Sequence, residues 1–420
     1  MAEGNIGETI IDEAQIAEFT TRGIAEIYPS PEALAAELSS GRQLHAYMGI
    51  DPTAPDMHVG HVSQLRKLRS LQAMGHRITL LIGDFTAMIG DPTDRSAQRV
   101  KLSRDQVLEN AEGYKEQAGK IIDFDDATNP AGLRYNSEWL GKMDFADVLE
   151  LASEFTVQQM LARKSFRDRI DAERPVGLHE FLYPIMQGWD SVALDVDIEL
   201  GGSDQIFNML VGSELLKRHR GKQKFTVAGQ LLTDPSGKKI GKTEGNMVTI
   251  NDAPTVMFSK VMRWGDAIAP HALELCTTCS MEEVHEIDRA VEAGEMTGLA
   301  AKTYLARTFV EELHGSEAAV SAEAAYQAIA ASGNETPPVE NMTKCVTSDS
   351  EDIVSVLVRS GFASSKSAAR RLIEGGAVRV NGDTVGIDWT TSASPEGSTS
   401  VLQVGKRTPE SYRLLVSDAE

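Results

Sequence analysis

From residue 58 onward, Val62, Leu65, Leu68, Leu71 and Met74 recur at three- to four-residue spacing, which predicts a helix with one apolar face. Residues 43–50, Gln-Leu-His-Ala-Tyr-Met-Gly-Ile, read as a strand before it, and Asp51-Pro52-Thr53 ends that strand, because proline has no N–H to donate. Residues 77–83 form a second apolar run, so strand, helix and strand make a βαβ unit with a parallel sheet. Upstream, Ile10, Ile11, Ile16, Phe19 and Ile24 predict an amphipathic helix over 6–27, and Ser30-Pro31 opens another that Gly41 closes. Downstream, Ser103 caps a polar helix to about Gly119, and a turn-rich stretch over 123–137 leads to further helices.

Residues 179–191 read as a helix that sets Tyr183, Gln187, Asp190 and Ser191 on one face. Asp195–Leu200 alternates as a strand, Gly201-Gly202-Ser203-Asp204-Gln205 turns, and a helix follows over Ile206–Leu216. Phe225–Ala228 is one more strand. Residues 251–332 are helical throughout, and Ser332–Pro338 is a linker by composition. The tail carries Val354 to Gly382, in which Val378-Arg379-Val380-Asn381-Gly382 begins a hairpin.

A chain of 420 residues has room for two or three domains. Three cysteines make no disulfide framework and suit a reducing compartment, so a cytoplasmic location is expected. No signal peptide is evident, and no apolar run nears the roughly 20 residues of a membrane span. The net charge of −21 argues against general nucleic-acid binding and restricts any RNA contact to a local patch. Between 359 and 379 such a patch exists: Arg359, Lys366, Arg370, Arg371 and Arg379 stand against Glu374 alone. Arg163, Lys164, Arg167 and Arg169 form another basic cluster, for which a solvated face and an RNA contact are evenly matched. Cys276 and Cys279 lack further ligands at zinc spacing, so no protein-held metal is expected.

The chemistry concentrates at strand ends. His58-Val59-Gly60-His61 falls in the first turn of the helix after the first strand, where backbone N–H groups and the helix dipole attract anions. Lys238-Lys239-Ile240-Gly241-Lys242-Thr243 is a glycine-punctuated basic loop suited to closing over a triphosphate, although alone it is an ordinary solvated loop. Together the two resemble the paired signatures of class I aminoacyl-tRNA synthetases, in the spelling of the bacterial tyrosyl-tRNA synthetases. The tail resembles the S4 RNA-binding module that those enzymes carry.

The resemblance covers nearly the whole chain. It implies a Rossmann-like α/β catalytic domain over 1–232 with an insertion about 123–195. The lysine loop and a helical domain that contacts the anticodon stem would take 233–332, a linker 333–349, and an S4-like α+β domain 350–420. The implied reaction activates L-tyrosine with ATP and passes the tyrosyl group to tRNA(Tyr), in a homodimer, with Mg²⁺ arriving on ATP. The resemblance implies that His58, His61, Lys239, Lys242, Arg95 and Arg99 stabilise the reacting phosphates. Asp51, Thr53, Gly60, Gly202, Asp204, Gln205 and Thr243 would complete the ATP site. Asp91, Tyr183 and Gln187 would hold the ammonium end of tyrosine, and Tyr47 and Asp190 its phenol. Without the resemblance, Gly90-Asp91-Pro92-Thr93 is an ordinary turn. The same residues leave two other readings open: a small nucleotidyltransferase, which would need no lysine loop or basic tail, and an RNA-binding protein on a retired synthetase scaffold.

Overall fold

The computed structural model describes residues 9–93, 102–234, 240, 247–332, 342–348, 350–391, 399–405 and 411–417. They form two compact units, Met1–Asn251 with Pro270–Arg289 and Asp252–Ala269 with Ala290–Glu420.

The first unit is built on a six-stranded sheet of β1 (Ile24–Tyr28), β2 (His45–Ile50), β3 (Arg77–Ile82), β4 (Gly132–Tyr135), β5 (Ile198–Gly202) and β6 (Phe225–Gly229). Their order is β1-β6-β5-β2-β3-β4, all parallel except β1 against β6. Strands β2 and β3 are buried almost end to end, as parallel strands covered by helices on both faces must be. The chain runs outward from β2 through β3 to β4, then returns to β5 on the other side of β2. Connections therefore diverge between β2 and β5, and ligands of such sheets sit outside the carboxyl ends of the strands at that divergence.

Two expected elements differ. Residues 6–27 are not one helix: Glu13–Thr21 is helical, Gly23 takes a φ of +58°, and Ile24–Tyr28 pairs with β6. The left-handed turn at Gly23 interrupts a pattern whose apolar spacing alone ran on. Residues 132–135, expected within a turn-rich insertion, are β4 at the sheet edge. The helices between β4 and β5 begin at Ser137 and end with Tyr183–Leu194, where Pro184 fits the first turn, which needs no N–H from it. Trp189 lies edge-on to His219, 5.0 Å between centroids, beside a core that includes Leu151, Met160 and Leu215.

In the second unit, helices Pro254–Met262, Gly298–His314 and Ser316–Ser332 pack on one another. The buried Lys302 ammonium caps the Trp264 carbonyl at 2.9 Å and pairs with Asp266 at 2.6 Å. The tail holds a second sheet, ordered β7-β11-β10-β8-β9, of β7 (Thr343–Thr347), β8 (Val378–Val380), β9 (Asp383–Thr384), β10 (Thr399–Val404) and β11 (Tyr412–Ser417). Helices Ile353–Arg359 and Lys366–Glu374 pack on it around Ile353, Val356, Leu357, Ala369 and Leu402. Asn381 and Gly382, both at positive φ, make the tight β8–β9 turn.

Candidate active site

His58 caps the helix Val59–Ala73, its Nδ1 accepting from the Gly60 N–H at 3.1 Å. His61 Nδ1 accepts from the His58 N–H at 3.1 Å, so the two rings stack with centroids 3.9 Å apart. A Cβ at Gly60 would lie 3.0 Å from the His58 ring, so glycine makes room for the stack. Across this turn runs the segment that follows the lysine loop: Val59 N–H donates to the Val248 carbonyl, His58 bridges Thr249, and Ile250 N–H donates to the Met57 carbonyl. Within the loop, Ile240 N–H donates to the Leu232 carbonyl. The segment 248–250, downstream of the basic loop, is thus tied to the histidine turn by backbone hydrogen bonds.

Asp51 follows β2 directly. Its carboxylate accepts from Thr86 Oγ1 at 2.7 Å and from the Tyr183 hydroxyl at 2.8 Å. Thr86 accepts in turn from Asn136 Nδ2 at 3.0 Å, and the same amide reaches Asp190 Oδ2 at 3.3 Å. Trp139 Nε1 donates to Asp190 Oδ1 at 2.7 Å. Burial pushes Asp190 well above the usual carboxylate range despite these two donors. Tyr47 is buried beside it and its phenol is likewise pushed up by burial, with Glu199 and Asp190 adding to the effect.

Asp91 accepts from Arg163 Nη2 at 3.1 Å, Gln205 Nε2 at 2.7 Å and the Thr93 hydroxyl at 2.6 Å. Burial presses its carboxyl upward, but the Arg163 guanidinium and these hydrogen bonds hold it below the usual range. From Asp91 a polar chain runs inward. Asn208 donates from one amide nitrogen to both Gln205 Oε1 and Gln187 Oε1, each at 2.9 Å, which turns both glutamine NH₂ groups toward carboxylates. Gln187 Nε2 meets Glu199 Oε1 at 3.1 Å.

Residues 39–331 match the family described as tRNA synthetases class I (W and Y), and residues 353–387 match the S4 domain. The tyrosine–tRNA ligase of Carboxydothermus hydrogenoformans is 40% identical over 400 residues, covering 93% of this chain and 95% of the relative. That of Geobacter metallireducens is 41% identical over 393 residues, with 92% and 95% covered. The chain belongs to the tyrosine–tRNA ligases. It activates L-tyrosine with ATP to tyrosyl-adenylate and pyrophosphate, then transfers the tyrosyl group to the 3′ end of tRNA(Tyr). A truncated mitochondrial tyrosyl-tRNA synthetase of Coccidioides posadasii shares the fold at a TM-score of 0.61 and 25% identity, covering 74% of this chain and 91% of that one. One from Archaeoglobus fulgidus, complexed with L-tyrosine, shares it at 0.59 and 20%, with 74% and 100% covered.

Against the residues expected of a tyrosyl-tRNA synthetase, the structure brings His58, His61, Asp51, Tyr183 and Asp91 to the ends of β2 and β3 and their following loops. Thr53 donates its N–H to the Asp51 carbonyl, and a Cβ at Gly202 would lie 2.6 Å from Asp204 Oδ1. Gln205, expected at ATP, donates to Asp91 at 2.7 Å. Tyr183 and Gln187, expected at the substrate ammonium, donate to Asp51 and Glu199. Arg163, expected on RNA, is 5% exposed against Asp91 and lies over the Phe166 and Phe207 rings, so it is not on a solvated face. Arg169 is buried on Glu180, whereas Lys164 and Arg167 are exposed. In the tail, Lys366, Arg370 and Arg371 are exposed, Arg379 is half-buried, and Arg359 is exposed and paired with Glu351. Arg95, Arg99, Lys239, Lys242 and Thr243 lie outside the described residues.

Sequence reasoning missed Asn136, Trp139, Asn208, Glu199 and Lys224. Asn208 had a signal, three residues beyond Gln205 on one helix face. Asn136 and Trp139 had none, because they follow the short strand that went unread.

Proposed function

We propose that the cleft at the carboxyl ends of β2, β3 and β5 is where tyrosine meets ATP. The observation that carries this reading is that the stacked histidines and Asp51 follow β2 and Gln205 follows β5, the strands that flank the point where the sheet's connections diverge, with Asp91, which Gln205 bonds, after the neighbouring β3. The ammonium of tyrosine takes Asp91, and its phenol takes Asp190 and Tyr47. His58 and His61 donate to the phosphates, joined by Lys239 and Lys242 from the loop whose flank is bonded to them. Arg95 and Arg99 support the leaving pyrophosphate. Asp51, Thr53, Gly60, Gly202, Asp204, Gln205 and Thr243 line the nucleotide. The tyrosine carboxylate attacks the α-phosphorus directly, so positioning and charge stabilisation carry the rate, with no protein nucleophile. Mg²⁺ enters on ATP, as it does where substrate phosphates supply most of its ligands.

The division into a catalytic domain over 1–232, a helical domain over 233–332, a linker over 333–349 and an S4-like domain over 350–420 belongs to the same reading. The exposed basic side chains Lys366, Arg370 and Arg371, with Arg359 and Arg379 beside them in sequence, meet tRNA in the tail, and Lys164 meets it on the insertion. Phe145, Leu149, Val157 and Leu178 on the insertion are 77%, 56%, 63% and 82% exposed, and exposed apolar side chains in that number favour a homodimer through the insertion. No helix among the described residues is long and apolar enough to cross a membrane, which fits the cytoplasmic location proposed here.

ATP–pyrophosphate exchange tests the residue roles. The protein exchanges with tyrosine and not with phenylalanine or tryptophan. Lys242→Ala lowers exchange far more than it weakens tyrosine binding; equal losses in both would remove Lys242 from the phosphate site.

A further inference from the structure

Asn208 is fully buried in the first turn of the helix Ile206–Arg220, between two glutamines. Its Nδ2 donates to Gln205 Oε1, three residues back, and to Gln187 Oε1 on the helix Tyr183–Leu194, each at 2.9 Å. Gln205 Nε2 donates to Asp91 Oδ2 at 2.7 Å, and Gln187 Nε2 to Glu199 Oε1 at 3.1 Å. The row of three amides therefore ends on a carboxylate at either side, and each carboxylate has a cation: Arg163 on Asp91, Lys224 on Glu199. A carboxylate only accepts, so each glutamine gives its NH₂ to its carboxylate and turns its oxygen to Asn208. Asn208 must then present its NH₂, one proton to each oxygen. No other orientation of the three amides pairs a donor with an acceptor at all four contacts. Serine has one proton to give here and aspartate none, whereas asparagine gives two from one nitrogen. Asn208 Oδ1, by contrast, is buried with no hydrogen-bond partner among the described residues. A bare buried oxygen is costly, so the residue is there for its two N–H groups.

We propose that Asn208 is a positioning residue for the ammonium of the bound amino acid, keeping the Gln205 NH₂ on Asp91 so that the carboxylate stays in place to accept. This deepens the reading of Asp91 as the ammonium partner of tyrosine and rests on it. Without the two N–H groups of Asn208, Gln205 is free to turn over. Its oxygen then meets Asp91 Oδ2, two acceptors face each other, and the carboxylate swings off its position. A ligand that carries an ammonium loses by this, and one that lacks it does not.

The test uses two competitive inhibitors of pyrophosphate exchange on the full chain. Tyramine has the phenol and the ammonium without the carboxylate; 3-(4-hydroxyphenyl)propionate has the phenol and the carboxylate without the ammonium. In Asn208→Leu, which keeps the size and removes the donors, the inhibition constant of tyramine rises about tenfold, the size of one buried hydrogen bond. That of the propionate stays at its native value. Gln205→Met, which cuts the row next to Asp91, gives the same split. Asn208→Ala removes the same donors and takes the place of the leucine variant where the latter does not fold. Equal losses for both inhibitors in the folded Asn208 variant mean a merely structural role and overturn the proposal, as does a native constant for tyramine. Asp91→Asn in the native background separates the two ideas. If it weakens tyramine selectively while the Asn208 variant does not, the proposal alone fails. If it too spares tyramine, the assignment of the ammonium site fails and the proposal with it.

Discussion

Arg169→Met separates a core cation from an RNA-facing one. The guanidinium is 1% exposed, and it grips Glu180 with Nη1 to Oε2 at 2.6 Å and Nη2 to Oε1 at 2.8 Å. It also donates to the Pro175 carbonyl, and Glu180 accepts from the Gly177 N–H at 2.8 Å. Burial presses the Glu180 carboxyl upward, yet the guanidinium and the Gly177 N–H hold it below its ordinary value. Methionine keeps the length and the apolar stem but leaves a buried carboxylate without its cation. Removing one partner of a buried pair costs about 3–5 kcal/mol. Glu180 can take up a proton, which favours the lower end, about 3 kcal/mol. At a urea dependence of about 2 kcal/mol per M, the unfolding transition of this unit moves down by about 1.5 M. Arg169→Met/Glu180→Gln recovers most of that loss, because both charges leave together. Lys164→Ala, at an exposed position, stays within about 0.5 kcal/mol of the native protein and weakens tRNA binding. Urea melts followed by fluorescence, with tRNA binding measured well below the transition, read both effects. A native urea midpoint for Arg169→Met together with much weaker tRNA binding would refute the argument and return Arg169 to the RNA surface.

Burial presses His45 and His76 from about 6.5 to about 4. Between those values the unfolded chain binds more protons than the folded one, so stability is complete above about pH 6.5 and falls as pH drops toward 4, by about 3 kcal/mol for each histidine; urea midpoints that stay flat from pH 7 to 4.5 would contradict this. A Cβ at Gly83 would collide with Asp51 Oδ1 and lie 2.5 Å from Thr86 Oγ1, so Gly83→Ala turns the Asp51 carboxylate away and slows adenylate formation at least about tenfold in single-turnover assays, while an unchanged rate would clear Asp51 of any role. If Asp91 takes the substrate ammonium as proposed, Arg163 competes with it, so Arg163→Ala lowers KM for tyrosine in pyrophosphate exchange, whereas a raised KM would mean that Arg163 holds Asp91 in place for its ligand.

What was legible in the chain was local. The β2 strand, its Asp-Pro-Thr break and the histidine turn each announce themselves within a dozen residues, and Asn381-Gly382 names its own hairpin. What was illegible was settled at a distance. The partner of Arg163 is Asp91, 72 positions away, so a run of basic residues gave no sign that one of them was buried. Asp195–Leu200 alternates as a strand, but the alternation did not tell which face was wet, and Glu199 is 2% exposed. In a parallel sheet both faces are roofed by helices, and a polar position there points into a second interior rather than into water. Lys224 and Ser191 are the partners that interior supplies.

That second interior explains how an acidic chain can handle a small zwitterion with little reorganisation. The polar groups at the site are already spent on one another: Asp91 on Arg163 and Gln205, Gln187 and Gln205 on Asn208, Glu199 on Lys224, Asp190 on Trp139 and Asn136. On the proposed reading of the site, groups ordered this way lose little rotamer freedom when tyrosine binds, apart from the Arg163 contact on Asp91 that the ammonium displaces, so more of each contact appears as discrimination. The same wiring limits which positions vary independently. Asn208 sets the amides of both Gln205, at Asp91, and Gln187, at Glu199, so any change that turns it disturbs the surroundings of Asp91 and of Glu199 together. Glu199 and Asp91 therefore belong to one hydrogen-bonded unit, and if Asp91 holds the substrate ammonium as proposed, a substitution at Glu199 reaches that end of the site through Gln187, Asn208 and Gln205.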